Sequence, residues 1–188
     1  MAKPVKVQKL KKRWFAVIAP EIFKNREIGE VAAIEQNNLL GRTVEVSAAK
    51  LTDTPKDQHR KIVLQLSDLA GDKVNSIVKK SFFLDNYIQR TIRRYKERFI
   101  LAENFKAKDD TIKLKVLVLA VKKLHQKVRA SLIRYIRASL TEKLSTAKTD
   151  ELFLPANLEK ISGELRNEIK NIYPADKVII WKTEVKKK

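Results

Sequence analysis

The chain has 188 residues and a formal net charge of +19, with 41 Lys and Arg against 22 Asp and Glu. Its length and its apolar content of 44% suit one globular domain with its own core. It has no Cys and only two His, which excludes disulfides, Cys nucleophiles and a metal cluster built on Cys or His. The charge favours a polyanionic partner, with nucleic acid first and an anionic membrane surface second.

Other absences narrow the class further. No apolar run approaches the ~18 residues of a membrane span, and the basic start of the chain lacks the apolar stretch of a signal peptide. With four Gly in the chain, we find neither a P-loop nor a dinucleotide-binding loop. We therefore expect a cytoplasmic protein with no membrane contact, cofactor, metal or small-molecule substrate.

The apolar pattern predicts an α+β domain whose helices are grouped late in the chain. Alternation of apolar and polar residues predicts strands at 14–18, 28–35, 42–47, 60–66, 74–84, 99–106, 112–121 and 177–185. Helical spacing predicts three helices, at 86–97, from the end of the 112–121 strand to about 148, and from Pro155. The strands form a mostly antiparallel sheet or a partly closed barrel. We divide the chain into a basic arm (1–11), one domain (12–185) and a basic tail (186–188).

The stretch from 112 to 144 organises this domain. Residues 116–121 are an unbroken apolar run, typical of a strand covered on both faces. After them the period changes: every fourth residue is apolar, which places Val128, Leu132, Ile136 and Leu140 in one stripe on a helix. Between Asp110 and Glu142 there are eight Lys or Arg and no acidic residue. Most charged helix faces are merely solvated, but they mix signs, so we predict that this one faces a polyanion.

A second cationic helix is predicted just before the 99–106 strand. Asp85 is its candidate N-cap, because a carboxylate there can accept the free amides of the first turn. Three Arg lie opposite its apolar side, and guanidinium groups can bind phosphate through two hydrogen bonds at once. Tyr87 and Tyr95 could stack on bases, although aromatic residues at apolar spacing more often belong to the core.

Together with the two basic termini, these helices supply the candidate RNA-binding residues. We predict RNA contacts from Lys9, Lys11, Lys12, Arg13, Arg42, Arg90, Arg93, Arg94, Lys122, Lys123, Lys127, Arg129, Arg134, Arg137, Lys186, Lys187 and Lys188. We predict no catalytic residue. Asp109 and Asp110 suit a hairpin turn better than a metal site, and a lone His125 is more often an exposed polar residue than a general base.

Four segments, in order and at matching spacing, resemble a known family. They read KKRWFAVIAPEIF, LLGRTVEVSAAKL, IQRTIRRYKERF and IYPADKVIIWKTEV. Their order is similar to that of the small-subunit ribosomal protein family of archaea and eukaryotes called S-three-a, or e-type small-subunit protein one. The resemblance covers nearly the whole chain. The short basic arm and the lack of a long acidic C-terminal extension look archaeal.

One family pattern can be compared residue by residue. The matching positions are Gly41, Arg42, Glu45, Ser47 and Leu51, whereas Thr43, Ala48 and Lys50 depart from it. The resemblance implies a place on the platform of the small subunit, near the messenger exit and the 3′ end of the small-subunit RNA. Its implied partners are that RNA and neighbouring ribosomal proteins, and we expect no homo-oligomer.

Three functions remain open from the sequence. The leading one is a structural ribosomal protein that binds RNA through phosphate contacts and shape. The alternatives are a free regulatory RNA-binding protein and, less favoured, an RNA-processing enzyme, which needs a general base, a metal site or a cofactor loop.

Overall fold

The computed structural model describes residues 11–95, 97–120, 122–170 and 172–186. These residues form an α+β domain with an open, mixed sheet of eight strands and four helices. The strands are β1 (Arg13–Ile18), β2 (Glu27–Ala33), β3 (Thr43–Ser47), β4 (Arg60–Ala70), β5 (Lys73–Phe83), β6 (Glu97–Lys106), β7 (Thr111–Ala120) and β8 (Lys177–Lys186). The helices are α1 (Ala48–Thr52), α2 (Asp85–Ile92), α3 (Gln126–Thr146) and α4 (Pro155–Ile169).

The predicted α+β class is confirmed, and each predicted strand has a counterpart. Strand β5 connects the two parts of the sheet: the order is β2-β1-β5-β8-β7-β6, and β4 pairs with both β5 and β3. All pairs are antiparallel except β1 with β5. The outer strands β2 and β3 both line a cleft of about 270 Å³ without pairing to each other. The sheet therefore stays open between these two strands.

The second half of strand β7, residues 116–120, is covered on both faces, as its unbroken apolar run predicts. Val116 and Val118 belong to the core under α3 and α4, whereas Leu117 and Leu119 pack against Ile88 of α2. All four side chains are at most 1% exposed. Burial of such side chains contributes about 1.5–3 kcal/mol each, so β7 is a major source of stability.

Helix α3 carries the predicted apolar stripe. Of its four members, Leu132, Ile136 and Leu140 are buried against the sheet and α4 and Val128 is half-buried, while buried Leu144 continues the stripe. Two ion pairs strengthen its contact with α4: the Nζ atom of Lys143 lies 2.8 Å from both Glu164 Oε2 and Glu168 Oε1. The helix is therefore fixed on one side, and its opposite side is left to solvent.

Three features of the helices differ from the predictions. Asp85 is the first residue of α2 rather than its N-cap: the cap is Leu84, and no side chain bonds to the free amides. Its carboxylate still favours the helix through the dipole of the first turn. Helix α2 ends at Ile92 rather than near 97, because the chain must turn there to enter β6. The five-residue α1 was not predicted.

No helix among the described residues is long and apolar enough to span a membrane.

Candidate RNA interface

The register of the β6–β7 hairpin brings the two predicted cationic segments together. Glu97 pairs with Ala120, so the start of β6 lies beside the end of β7. Arg93 and Arg94 come just before this pair along the chain, and Lys122 follows it closely. Helix α3 then begins at the same end of the sheet. We call this group the basic end, and it consists of Arg90, Arg93, Arg94, Lys122, Lys123, Lys127 and Arg129.

All seven side chains of the basic end are exposed. None of them forms an ion pair with another residue in the described part of the chain. The guanidinium of Arg129 lies 5.7 Å from the ring centroid of Phe99, which holds it near the edge of the sheet. The Tyr173 hydroxyl donates to the Lys122 carbonyl oxygen at 3.4 Å and so restrains the turn after β7. The seven cations are therefore available to an external anion.

One of the acidic groups at this end serves the fold. Asp176 accepts a hydrogen bond from the Tyr95 hydroxyl, and its Oδ1 atom lies 3.8 Å from Arg166 Nη2. The bond to Asp176, aided by burial, raises the pKa of the Tyr95 hydroxyl above its ordinary value. Tyr95 packs in the core cluster around Ile88, and this favours its reading as a core residue.

The exposed face of α3 carries two predicted contacts that differ in their surroundings. Arg134 is exposed and forms no ion pair with a described residue. Arg137 instead donates from Nε to Glu103 Oε2 at 2.7 Å and from Nη2 to the other oxygen of the same carboxylate. The expectation that this face carries positive charge alone is thus corrected, because β6 supplies an acidic group that lies 34 residues away in sequence.

The Arg137–Glu103 pair makes stability depend on pH. The two hydrogen bonds from Arg137 lower the pKa of Glu103 in the folded state, whereas an unfolded Glu has a pKa of about 4.3. The pair therefore stabilises the fold above about pH 4.3, and this contribution is lost as the pH falls through the lower, folded value. We expect Glu103→Gln to flatten the acid limb of a plot of unfolding free energy against pH, measured in urea. Identical acid limbs in both proteins would contradict the assignment.

The remaining predicted contacts lie away from the basic end. Lys11 and Lys12 precede β1 and Arg13 begins it, while Arg42 lies before β3 and donates to the Ala32 carbonyl oxygen at 3.4 Å. Lys186 is the last residue of β8 and pairs with Thr111, at the other end of the β6–β7 hairpin. Lys9, Lys187 and Lys188 lie outside the described residues.

One cationic group that the sheet assembles was not predicted from the sequence. It consists of Lys80 on β5, Lys113 and Lys115 on β7, and Lys182 on β8, and we call it the lysine face. Its four members point to the same side of the sheet, because cross-strand partners and alternate residues share a face. The signal in the sequence was the alternation of Lys113 and Lys115 with buried Ile112 and Leu114.

The described residues offer little to an enzyme mechanism. His125 is exposed just before α3, and Asp109 and Asp110 lie in the hairpin turn after β6. His59 stacks on the Tyr87 ring with 4.7 Å between centroids. Among the residues described, no group of three or more His, Cys, Asp or Glu is arranged to hold a metal ion.

Fold and surface together define a basic, single-domain α+β protein that places seven exposed cationic side chains at one end of its sheet. Comparison with known proteins gives the family. The model of the ribosomal S3Ae family matches residues 2–188, so the chain belongs to this family. That result confirms the resemblance found in the sequence.

Archaeal relatives agree with this assignment. Small ribosomal subunit protein eS1 of Methanobrevibacter smithii is 29% identical over 175 residues, which cover 93% of this chain and 91% of the relative. The protein of the same name from Natronomonas pharaonis is 28% identical over 185 residues, covering 96% and 88%. That of Archaeoglobus fulgidus is 27% identical over 177 residues, covering 93% and 84%.

Proposed function

We propose that this protein is a structural constituent of the small ribosomal subunit and binds small-subunit ribosomal RNA through its basic end. The observation that carries the proposal is the presence at one end of the sheet of seven exposed cations that form no ion pair with any described residue. Membership of the ribosomal S3Ae family and relatives named small ribosomal subunit protein eS1 support it.

The binding mechanism is electrostatic. Each Lys or Arg that reaches a phosphate releases condensed counterions, and several such contacts fix the protein on a folded RNA. A-form RNA has a deep, narrow major groove that side chains cannot read, so the contacts go to phosphates, 2′-hydroxyls and overall shape. Arginines at the end of α2 suit this role because a guanidinium can bind one phosphate through two hydrogen bonds. Arg134 extends the same surface along α3.

Membership of the ribosomal S3Ae family supports the proposed partners and place. They are small-subunit ribosomal RNA and neighbouring ribosomal proteins, on the platform near the messenger exit, in the cytoplasm. The protein acts as a single copy and as a scaffold, without catalysis. In this arrangement the apolar side of α3 serves the fold and its exposed side serves assembly.

Sedimentation of a cell lysate tests the proposal. We expect the protein to migrate with the small ribosomal subunit through a sucrose gradient at moderate salt, because many phosphate contacts hold it there. A free regulatory protein would remain in the slow fractions, and that result would contradict the proposal. An RNA-processing enzyme is tested separately by incubating RNA with the protein and Mg²⁺, where we expect neither cleavage nor modification.

A further inference from the structure

The four lysines of the lysine face lie in two adjacent rows of side chains across the sheet. In one row Lys113 lies beside Glu184, which lies beside Lys80. In the next row Lys115 lies beside Lys182, which lies beside Phe82. Neighbouring strands are about 4.8 Å apart and alternate residues along a strand about 6.7 Å apart, so four ammonium groups share a small area.

Only one carboxylate lies within these rows. Lys182 Nζ is 2.8 Å from Glu184 Oε2 and neutralises it, which leaves a local excess of three positive charges. That contact, together with the charges of Lys80 and Lys113, lowers the pKa of Glu184. The excess charge is held by the sheet itself, because all four lysines lie on hydrogen-bonded strands. Such a face is complementary to a polyanion.

Two aromatic rings lie among these lysines. A register shift between Lys115 and Val116 leaves Trp181 as an extra residue in β8, and its ring centroid is 5.1 Å from Lys115 Nζ. The Phe82 ring centroid is 4.4 Å from Lys80 Nζ. Both rings are half-buried, so part of each ring remains in contact with solvent. A flat nucleobase can take the same position when the lysine moves to a phosphate.

The fold leaves this part of the sheet uncovered. Helix α2 covers the neighbouring positions on the same side, where Ile88 packs against Leu117 and Ile179. Beyond that contact, Phe82, Trp181 and the four lysines keep part of their surface in solvent. Arg90 of the basic end lies exposed on α2, the same helix that covers those neighbouring positions.

We propose that the lysine face binds a single-stranded segment of RNA, with its ammonium groups on the phosphates and Phe82 and Trp181 against the bases. This inference rests on the proposed function for its ligand class. A single strand is favoured over a duplex because only unpaired bases offer their flat sides to aromatic rings. A duplex could use the lysines but not the rings.

Tryptophan fluorescence tests this directly, since the chain has two Trp. In a Trp14→Phe background, Trp181 is the sole reporter. We titrate labelled oligouridylate of about ten nucleotides and follow RNA anisotropy and Trp181 emission together. Saturable quenching that parallels the anisotropy is expected. A duplex of the same length should quench much less.

Substitutions then separate charge from stacking. The double substitution Lys113→Gln and Lys115→Gln should reduce the slope of log affinity against log salt by about 1.4, because two phosphate contacts of a single strand are lost. Phe82→Leu should weaken oligouridylate binding about fivefold or more. The matched control, Lys24→Gln with Lys160→Gln, removes the same charge from exposed positions elsewhere and should change neither result. Circular dichroism melting identifies any variant that fails to fold. If Phe82→Leu unfolds, the Lys113→Gln, Lys115→Gln variant still tests the inference.

Each contrary outcome has a defined meaning. Binding of oligouridylate without quenching of Trp181 would overturn the inference and leave the proposed function standing. Equal quenching by the duplex, or by a glutamate-rich peptide, would also overturn it, because the face would then take any anion. Failure of oligouridylate to bind while ribosomal RNA still binds would do the same. If neither RNA binds, the proposed function itself fails.

Discussion

Binding of small-subunit ribosomal RNA should weaken about a thousandfold when the salt concentration rises from roughly 50 to roughly 200 mM. This magnitude corresponds to about six neutralised phosphates, and the basic end alone carries seven exposed cations. The effect arises because each Lys or Arg that binds a phosphate releases condensed counterions, and this release becomes less favourable as the salt concentration rises. Filter binding or anisotropy at several salt concentrations measures it. An affinity that stays flat over this range would show that phosphate contacts do not drive recognition.

Replacing Leu132 with Ala should lower the free energy of unfolding by about 2–5 kcal/mol while leaving RNA affinity unchanged. Leu132 is fully buried in the core under α3, so its truncation removes packing and leaves a cavity. RNA affinity is retained because the exposed cations of α3 lie on the opposite side. Urea unfolding measures the loss, and RNA titration at low temperature measures binding by the folded fraction.

Ser131→Ala is the matched control for this change. Ser131 is the preceding residue of the same helix and is exposed, so its substitution should change stability by no more than about 0.5 kcal/mol. If Leu132→Ala abolished RNA binding by a protein that remains folded, the apolar side of α3 would have a direct role in recognition. The separation of the two sides of this helix would then be wrong.

The sequence predicted those features that depend on one continuous period. The two-sided burial of β7 and the stripe through Leu132 and Ile136 are both confirmed. Each depends on a pattern within one segment, which other elements do not change when they pack against it. The predicted end of α2 was less accurate. Helix propensity continues through Arg93 and Arg94, but the pairing of β6 with β7 ends the helix earlier. Tertiary pairing overrides local propensity at such places.

Features that combine distant segments could not be read from the sequence. The bond between Arg137 and Glu103 joins α3 to a strand, and no pattern on the helix indicates that carboxylate. The lysine face draws on three strands whose order in the sheet was unknown. The basic end was predicted in part. Both cationic segments were predicted from the sequence, but only the register of the β6–β7 hairpin shows that they lie at the same end of the sheet.

The basic end is the centre of this account, and a salt titration on a neutralised variant tests it most directly. The variant carries four changes to Gln, at Arg93, Arg94, Lys122 and Lys123. The control carries four changes to Gln at exposed positions elsewhere, at Lys24, Lys56, Lys148 and Lys160. We expect the slope of log affinity against log salt to become shallower by about 3 in the variant and to stay unchanged in the control. An unchanged slope in the variant, or an equal loss in the control, would contradict the assignment of RNA binding to the basic end.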